Sequence, residues 1–237
     1  MKAYQTGIIF VHGFTESTHW FDDLIAQVPE GVLVRNVHLP GHDATTREFR
    51  QTDAMIWLKA VDQACVEMTE QCERVFYVGH SMGCLLGLLI QQKRRTLSGM
   101  LLLCCPFYVR PTKRYFKTLL LANLTTAKAD DPLVAAERST RGVTTDHIYS
   151  YLLCTRPLNE LFRLIRFTKN HSLHLPEMTI FCHSEQDEIV GRRSADYAEN
   201  VLHARVELLP GCGHNYFTDD MRSKVVALLT EMIETAL

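Results

Sequence analysis

The sequence predicts an α/β fold in which helices cover both faces of a mostly parallel sheet of about six strands. Six short apolar runs in the 237 residues have the length and composition of strands that are buried on both sides. Stretches with helical spacing of apolar residues alternate with these runs, and this alternation is typical of parallel sheets. Apolar residues make up 46% of the chain and charged residues 22%, which indicates a globular protein rather than a disordered one.

Turn and capping residues separate the predicted elements in the first half of the chain. A Pro-Gly pair at 40–41 ends the second strand, and Thr52 or Asp53 can cap the long helix that follows it. A helix that begins at Met82 follows the third strand almost at once. In this half we expect strands at residues 7–11, 32–39, 74–78 and 100–105, and helices at 17–28, from 52 or 53, and at 82–93.

Residues 106–176 interrupt the alternation, because they contain no convincing strand and are far too many for a loop. We interpret them as a helical cap inserted after the fourth strand, which leaves residues 1–105 and 177–237 as the core domain. Helices are expected at 115–125, 132–139, 147–153 and 158–168 within this interval, strands at 178–183 and 205–209 after it, and a final helix from Asp219.

Charge and cysteine content argue against several classes of protein. The chain has 25 Lys and Arg residues against 27 Asp and Glu, so no net positive field is present to attract nucleic acid. Its eight cysteines are far fewer than a disulfide scaffold of this length would carry. No apolar run has the length of a signal-peptide core or of a membrane span. We therefore expect a soluble, cytoplasmic protein with no nucleic-acid partner and no transmembrane segment.

The segment Gly79-His80-Ser81-Met82-Gly83 lies where a predicted strand ends and a helix begins. A Gly-x-Ser-x-Gly sequence in this setting forms a nucleophile elbow, a strained turn that exposes the serine hydroxyl. The flanking glycines leave no side chain to collide in the turn, and the Met82 N–H lies at the positive end of the helix. The alternative is a chance match in a loop, which the strand–turn–helix setting disfavours. We predict that Ser81 is a nucleophile.

A serine hydroxyl needs a histidine base, which in turn needs an orienting acid. His214 follows the last predicted strand in a loop with glycines at 211 and 213, which is the position that the order serine, acid, histidine requires. The alternative for His214 is an ordinary exposed loop histidine.

Three carboxylates compete for the role of the acid in the loop after the fifth strand. Asp187 is favoured because the apolar pair at 189–190 would anchor the loop beneath it, whereas Glu185 and Glu188 are interpreted as solvated. The loop after the fourth strand, the other usual place for the acid, offers no carboxylate before Asp130.

The turn after the first strand, His12-Gly13-Phe14, supplies the second part of a predicted oxyanion hole. Gly13 lets the backbone fold back, so that the Phe14 N–H can join the Met82 N–H over a developing oxyanion. The alternative is a plain glycine turn, which its coincidence with the Ser81 motif disfavours.

The order of these motifs resembles the α/β-hydrolase superfamily, and in particular its small bacterial carboxylesterase and monoacylglycerol lipase branch. The resemblance extends over nearly the whole chain. It implies the strand order 2-1-3-4-5-6, in the order of the predicted strands, and a cap over Ser81. Two positions depart from the branch pattern, since Asp43 replaces the last glycine of a Pro-Gly-His-Gly turn and Cys84 replaces a second glycine after the elbow.

The motifs together predict a serine carboxylic ester hydrolase that works through an acyl-enzyme, without a metal or other cofactor. The resemblance and the apolar cap imply small-molecule esters with short- to medium-length apolar acyl chains, or monoglycerides. A thioesterase, amidase, peptidase, acyltransferase or lyase would use the same apparatus, so these alternatives stay open. The alternative from another class is a ligand-binding protein that keeps the fold without catalysis.

Three further features of the sequence also have ordinary structural explanations. His171 and His174 have no third ligand at a familiar metal spacing nearby, and the neighbouring thiols at 104–105 are more simply buried strand-end residues than a redox switch. A basic cluster at the start of the cap is either solvated surface or a contact for an anionic lipid surface. This cluster consists of Arg110, Lys113, Arg114 and Lys117.

Overall fold

A computed structural model describes residues 2–124, 131–145 and 148–235, and its centre is a six-stranded sheet in which every pairing is parallel. The strands are β1 Tyr4–Val11, β2 Leu33–Val37, β3 Ala44–Thr45, β4 Cys72–His80, β5 Gly99–Leu103, β6 Val143–Thr144, β7 Met178–Ser184 and β8 Arg205–Leu209. The order in the sheet is β2-β1-β4-β5-β7-β8, which is the predicted order 2-1-3-4-5-6 because the two very short strands, β3 and β6, are not part of it. The predicted fold class is therefore confirmed.

Helices connect the strands and flank the sheet. They are α1 Asp22–Ile25, α2 Thr46–Phe49, α3 Ala54–Gln71, α4 Met82–Arg94, α5 Lys113–Asn123, α6 Pro132–Thr140, α7 Thr155–Asn170, α8 Arg193–Asn200 and α9 Asp219–Thr235, with 3₁₀ turns at Thr18–Phe21 and Ile148–Leu153. Two of them, α3 and α4, provide the crossover connections on either side of β4.

Two apolar layers enclose the sheet, one on each face. Successive residues of β1 alternate between them, because side chains along a strand point to opposite faces. Ile9 belongs to the layer that contains Trp57 of α3, whereas Ile8 and Phe10 belong to the layer that contains Met232 of α9. All five of these side chains are fully buried. Burial of a side chain of this size contributes about 1.5–3 kcal/mol, so the two layers hold the sheet rigidly beneath its loops.

Several elements differ from their sequence-based expectations. The helix expected over 17–28 is a 3₁₀ turn followed by the single turn of α1, and α8 had not been expected. The expectation that 106–176 holds no strand was wrong, since Val143–Thr144 pairs with Ala44–Thr45. A strand of two residues is too short to show a period in the sequence.

The inserted segment (residues 106–176) contributes α5, α6 and α7 between β5 and β7. Backbone hydrogen bonds tie its middle to two core loops: Ser17 N donates to Thr140 O at 2.8 Å, Gly142 N to Thr15 O at 2.8 Å, and Ala44 N to Gly142 O at 3.2 Å. Helix α5 begins at Lys113, two residues before the expected start at 115, and α7 begins at Thr155, three residues before the expected start at 158. Thr125 and His147, where two expected helices end and begin, lie outside the described residues.

Among the residues that the structure describes, no helix combines the length and hydropathy needed to cross a membrane.

Candidate active site

The sharp turn between β4 and α4 places Ser81 at the carboxyl edge of the sheet. Ser81 has φ 49° and ψ −119°, a left-handed backbone conformation that costs about 1–3 kcal/mol for a residue other than glycine. A Cβ on Gly79 would lie 2.9 Å from Cys84 N, and a Cβ on Gly83 would overlap the carbonyl oxygen of Val11. Both glycines are therefore required by close backbone approach, as the motif predicts.

The register of the neighbouring strands brings the two loops of the predicted oxyanion hole together. Val11 pairs with Gly79, so the turn that carries Gly13 and Phe14 lies beside the elbow. Met82 is the first residue of α4, where N–H groups have no acceptor within the helix. His42 Nε2 donates to the carbonyl of Phe14 at 2.7 Å. A buried ring thus holds the peptide that follows Phe14.

A loop after β8 brings His214 to the hydroxyl of Ser81, 133 residues away in the chain. His214 Nε2 lies 3.0 Å from Ser81 Oγ, and His214 Nδ1 lies 2.8 Å from Asp187 Oδ2, both within hydrogen-bond range. Ser81 is 8% exposed and His214 3% exposed. The structure therefore brings the three predicted residues into one buried, hydrogen-bonded chain.

The loop after β7 fixes the carboxylate of Asp187. Its Oδ1 accepts from Ile189 N at 2.8 Å and from Val190 N at 2.7 Å, which leaves Oδ2 for the imidazole. Val190 is buried and forms a β-bridge with Val109, so the apolar pair anchors the loop as the sequence suggested. Burial opposes ionisation of Asp187, but the contact with His214 holds its pKa below the usual range. Burial likewise opposes protonation of His214, yet Asp187 raises its pKa well above the ordinary value.

Glu188 departs from its predicted role. We expected a solvated side chain, but Glu188 is 6% exposed and its Oε2 accepts a hydrogen bond from His214 N at 3.0 Å. Glu185, the third carboxylate of the loop, is exposed as expected. Nothing in the sequence distinguishes these two glutamates, because the difference comes from a contact with a loop 26 residues further along the chain.

Sequence reasoning also missed a buried pair, Glu16 and His80, directly behind the elbow. His80 Nδ1 lies 2.8 Å from Glu16 Oε2, and His80 Nε2 lies 3.0 Å from the carbonyl oxygen of His214. Trp20 stacks on the His80 ring with centroids 4.0 Å apart. The only available signal was position, since His80 is part of the elbow motif and Glu16 follows the Phe14 turn.

Among the described residues, His80, Cys104 and His214 form the one group of three whose ligand atoms lie within 4.8 Å of one another, close enough to hold a metal ion. Their atoms already form hydrogen bonds in this structure: both ring nitrogens of each histidine face protein acceptors or Ser81, and Cys104 Sγ lies 3.3 Å from Ser184 Oγ. The group is therefore part of the hydrogen-bonded network beneath the site. His171 Nδ1 donates to Phe167 O at 2.7 Å, and neither His171 nor His174 belongs to this group.

The two departures from the branch pattern fit the local structure. Asp43 has φ 51°, a backbone conformation that favours glycine. Aspartate tolerates this conformation better than most other residues, which fits its presence here. Cys84 is buried, and its Sγ lies 3.2 Å from both Gly79 O and Leu103 O. Cys104 and Cys105 are buried free thiols.

Two cavities flank the His214 loop. One of about 200 Å³ separates the inserted segment, represented by Arg114 and Leu133, from Gly213 and Tyr216. The other, of about 350 Å³, is lined by α1, α6, α9 and Asn215. Residues of the inserted segment thus line both cavities, together with Gly213 in the first and Asn215 in the second.

Known relatives include enzymes named as lipases. The chain is 22% identical to monoacylglycerol lipase abhd6-A of Xenopus laevis over 258 aligned residues, which cover 98% of this chain and 76% of that protein. It is 27% identical to the thermostable monoacylglycerol lipase of Bacillus sp. (strain H-257) over 95 residues, 40% of this chain and 38% of that one.

Solved structures share the fold. A structure from work on LipS and LipT, two metagenome-derived lipolytic enzymes, matches with a TM-score of 0.70 at 16% identity and covers 98% of this chain and 95% of that one. The monoacylglycerol lipase of Paleococcus ferrophilus matches with a TM-score of 0.68 at 16% identity and covers 97% of each chain.

A family model also matches nearly the whole chain. A model of the alpha/beta hydrolase family matches residues 8–228, from the first strand into the last helix. This range contains the elbow, the loop after β7 and the loop after β8. The chain therefore belongs to the alpha/beta hydrolase family.

Proposed function

We propose that this protein is a carboxylic ester hydrolase that works through an acyl-enzyme on Ser81. The observation that carries the proposal is the buried chain in which Ser81 Oγ, the His214 ring and the Asp187 carboxylate are linked at 3.0 Å and 2.8 Å. A base within this distance of a serine hydroxyl can accept its proton as the oxygen attacks. Similarity to proteins named as monoacylglycerol lipases supports the ester as the substrate class.

In the proposed reaction, Ser81 Oγ attacks the ester carbonyl carbon while its proton passes to His214 Nε2. The N–H groups of Phe14 and Met82 stabilise the oxyanion of the tetrahedral intermediate, and each such donor is worth about 3 kcal/mol in comparable enzymes. The intermediate collapses as the C–O bond to the alcohol breaks, and His214 gives the proton to the departing oxygen. Water then attacks the acyl-enzyme with the same base, which releases the acid and restores Ser81.

Asp187 supports this cycle in two ways. Its Oδ2 accepts the Nδ1 proton, so the neutral ring presents its lone pair at Nε2 toward Ser81. Its negative charge also stabilises the imidazolium that forms in each step, and the side chain, 1% exposed, is shielded from water.

We further propose that residues 106–176 act as a cap over the core formed by 1–105 and 177–237, and that the substrate lies between them. Support comes from the cavity between Leu133 of the inserted segment and Gly213 of the His214 loop. Similarity to proteins named as monoacylglycerol lipases makes monoglycerides and short- to medium-chain esters the proposed substrates.

The basic cluster of Arg110, Lys113, Arg114 and Lys117 supports a weak contact with anionic lipid. All four side chains are exposed, and they lie beside Phe116 and Leu120, apolar residues of α5 that are 59% and 50% exposed. A basic and apolar face of this kind suits the surface of a bilayer. Hydrolysis of esters in anionic vesicles should then be more sensitive to salt than hydrolysis of a soluble neutral ester, and equal salt sensitivity would refute the contact.

The first test is the nucleophile. Ser81→Ala should abolish both turnover of p-nitrophenyl esters and labelling by a fluorophosphonate probe, because both need the Ser81 oxygen. Labelling that persists at another residue would overturn the assignment. Wild-type protein that binds esters without turnover across a graded acyl series would instead indicate a ligand-binding member of the family.

The second test is the type of bond. The ester, thioester and amide of one acyl group should be compared by kcat/KM, and the proposal expects the ester to be preferred to the amide. A preference for the thioester or amide, or transfer of the acyl group to an added alcohol in place of water, would redirect the assignment to thioesterase, amidase or acyltransferase.

A further inference from the structure

We propose that Glu16 and His80 form a positioning pair that ties the oxyanion loop to the backbone of His214. The inference rests on the proposed function, since it concerns how the parts of that site are kept in register. Neither residue touches the reacting atoms; each acts through a group that does.

Three hydrogen bonds carry the argument. Gly13 N donates to Glu16 Oε2 at 2.5 Å, Glu16 faces His80 Nδ1 at 2.8 Å, and His80 Nε2 donates to the His214 carbonyl oxygen at 3.0 Å. Glu16 is 5% exposed and His80 is fully buried. The chain of bonds thus runs behind Ser81 from one side of the site to the other without passing through water.

In the turn after β1, Glu16 occupies one of the backbone N–H groups that could otherwise bind a substrate. Its carboxylate accepts from the Gly13 N–H, so this group is not available to a substrate, and the proposed oxyanion donor of the turn is the next N–H, that of Phe14. A Cβ on Gly13 would overlap this carboxylate. The glycine of the turn is therefore needed to admit Glu16 as well as to let the chain fold back.

On the base side, buried side chains hold the His214 backbone at both its polar groups. Its N–H donates to Glu188 at 3.0 Å and its carbonyl accepts from His80 at 3.0 Å, while Asp187 holds the ring. The imidazole therefore has little freedom to drift from Ser81. A displacement of about 1 Å can cost roughly 100-fold in rate, which makes such anchoring relevant to turnover.

The partners of His80 show that its ring is charged. Both nitrogens face acceptors, a carboxylate and a carbonyl, so the ring must carry a proton on each to satisfy them. Burial opposes this protonation, but Glu16 raises the pKa of His80 to about 9, and Trp20 covers the face of the ring. The pair is therefore a buried ion pair, in which removal of one partner would leave the other charge uncompensated.

Two substitutions of His80 test its two hydrogen bonds, to Glu16 and to the His214 carbonyl, separately. The amide of His80→Asn reaches about where Nδ1 lies and can still meet Glu16, but it is too short for the His214 carbonyl. His80→Gln reaches about where Nε2 lies and can still donate to that carbonyl. We expect H80N to lower kcat by about 10- to 100-fold, with KM changed by less than about threefold. The kcat of H80Q should be at least about fivefold higher than that of H80N.

The controls address folding. Thr168→Val removes a buried hydroxyl that bonds to Leu164 O within α7, and kcat should stay at the wild-type level. If H80N does not fold because Glu16 is left charged, Glu16→Gln supplies a neutral background. E16Q can retain all three hydrogen bonds and should keep kcat within about fivefold, while E16Q/H80N should show the kcat loss.

Folded H80N or E16Q/H80N with wild-type kcat would overturn the proposal. So would equal kcat losses in H80N and H80Q that track their melting temperatures, because the pair would then serve stability alone. These outcomes differ from failure of the proposed function, in which the wild type itself would show neither ester turnover nor fluorophosphonate labelling of Ser81.

Discussion

At the scale of single residues, two adjacent carboxylates hold the same histidine in different ways. Asp187 accepts from the imidazole and Glu188 accepts from the backbone N–H of His214. The first contact changes the electronic state of the ring, whereas the second changes only where the ring lies. The two residues therefore differ in what an amide substitution would do to each.

We predict that Asp187→Asn lowers kcat by about 10³- to 10⁴-fold, because the amide favours the wrong tautomer of His214 and cannot stabilise its cation. Glu188→Gln should lower kcat by less than about tenfold, since its amide oxygen can still accept from His214 N. Steady-state kinetics on one soluble ester would measure both effects. Similar losses in the two variants would contradict the separate roles.

Residues in local motifs could be predicted from sequence, whereas residues with distant partners could not. Ser81 and His214 were found because strand ends, glycines and chain order mark them. Glu16 meets its partner 64 residues away, and a buried glutamate has the same sequence signature as a solvated one. Long-range packing, which a single sequence does not display, thus determined the buried roles of Glu16, His80 and Glu188.

At the scale of elements, the start of α4 depends on how closely it approaches β1. The absent side chain of Gly83 is what allows this approach, because a Cβ there would overlap the Val11 carbonyl. Because the Val11 carbonyl is a backbone group, no side-chain rotation can remove the overlap. The elbow is therefore stabilised by packing between two elements as well as by its own turn.

We predict that Gly83→Ala destabilises the protein by about 1–3 kcal/mol or more, the cost of overpacking in a closed core, and also lowers activity. Gly191→Ala is the matched control, because its Cβ would lie 3.7 Å from Tyr108 O, an ordinary contact, and its stability should change by less than about 0.5 kcal/mol. Urea unfolding would measure both. A well-folded, fully active G83A protein would show that the elbow tolerates the side chain.

The long elements could be predicted and the short ones could not. Helices α3 and α4 have enough turns to show a period and lie close to their expected bounds. The 3₁₀ turn before α1 and the two-residue strands depend on contacts with the inserted segment, such as Ser17 N with Thr140 O. Elements of this length are determined by what they pack against.

At the scale of the whole molecule, the charge on His80 links stability to pH. A histidine whose folded pKa is raised stabilises the protein fully below its unfolded pKa of 6.5, and this contribution is lost as the pH rises through about 9. Burial opposes the ionisation of Glu16, yet His80 holds its pKa below the ordinary value, so the pair also weakens at acid pH.

We predict that the unfolding free energy of the wild type falls between pH 6.5 and 9 by about 3 kcal/mol more than that of the double variant E16Q/H80Q, which has no titrating group at either position of the pair. Denaturant unfolding across this range would measure the difference. His214 titrates in both proteins, but its charge also lowers the pKa of His80, so the comparison measures the His80 contribution together with this coupling. Parallel pH profiles would contradict a charged His80.

The order of the sheet could be anticipated because the motif order resembles a known family, and the strands confirmed it. The path of residues 106–176 could not be anticipated in the same way. Helical spacing located α5, α6 and α7, but it carried no information about where this segment touches the core.

The backbone bonds around Gly142 pin the long excursion after β5 at its midpoint, to the loops that follow β1 and β2. One large loop is thereby divided into two lobes of about half the length, and the entropy of closing each is lower than that of closing the whole. One half carries α5 and α6, and the other carries α7. Because the hydrogen bonds around Gly142 fix the point where the halves meet, a change in the length of one half need not displace the other.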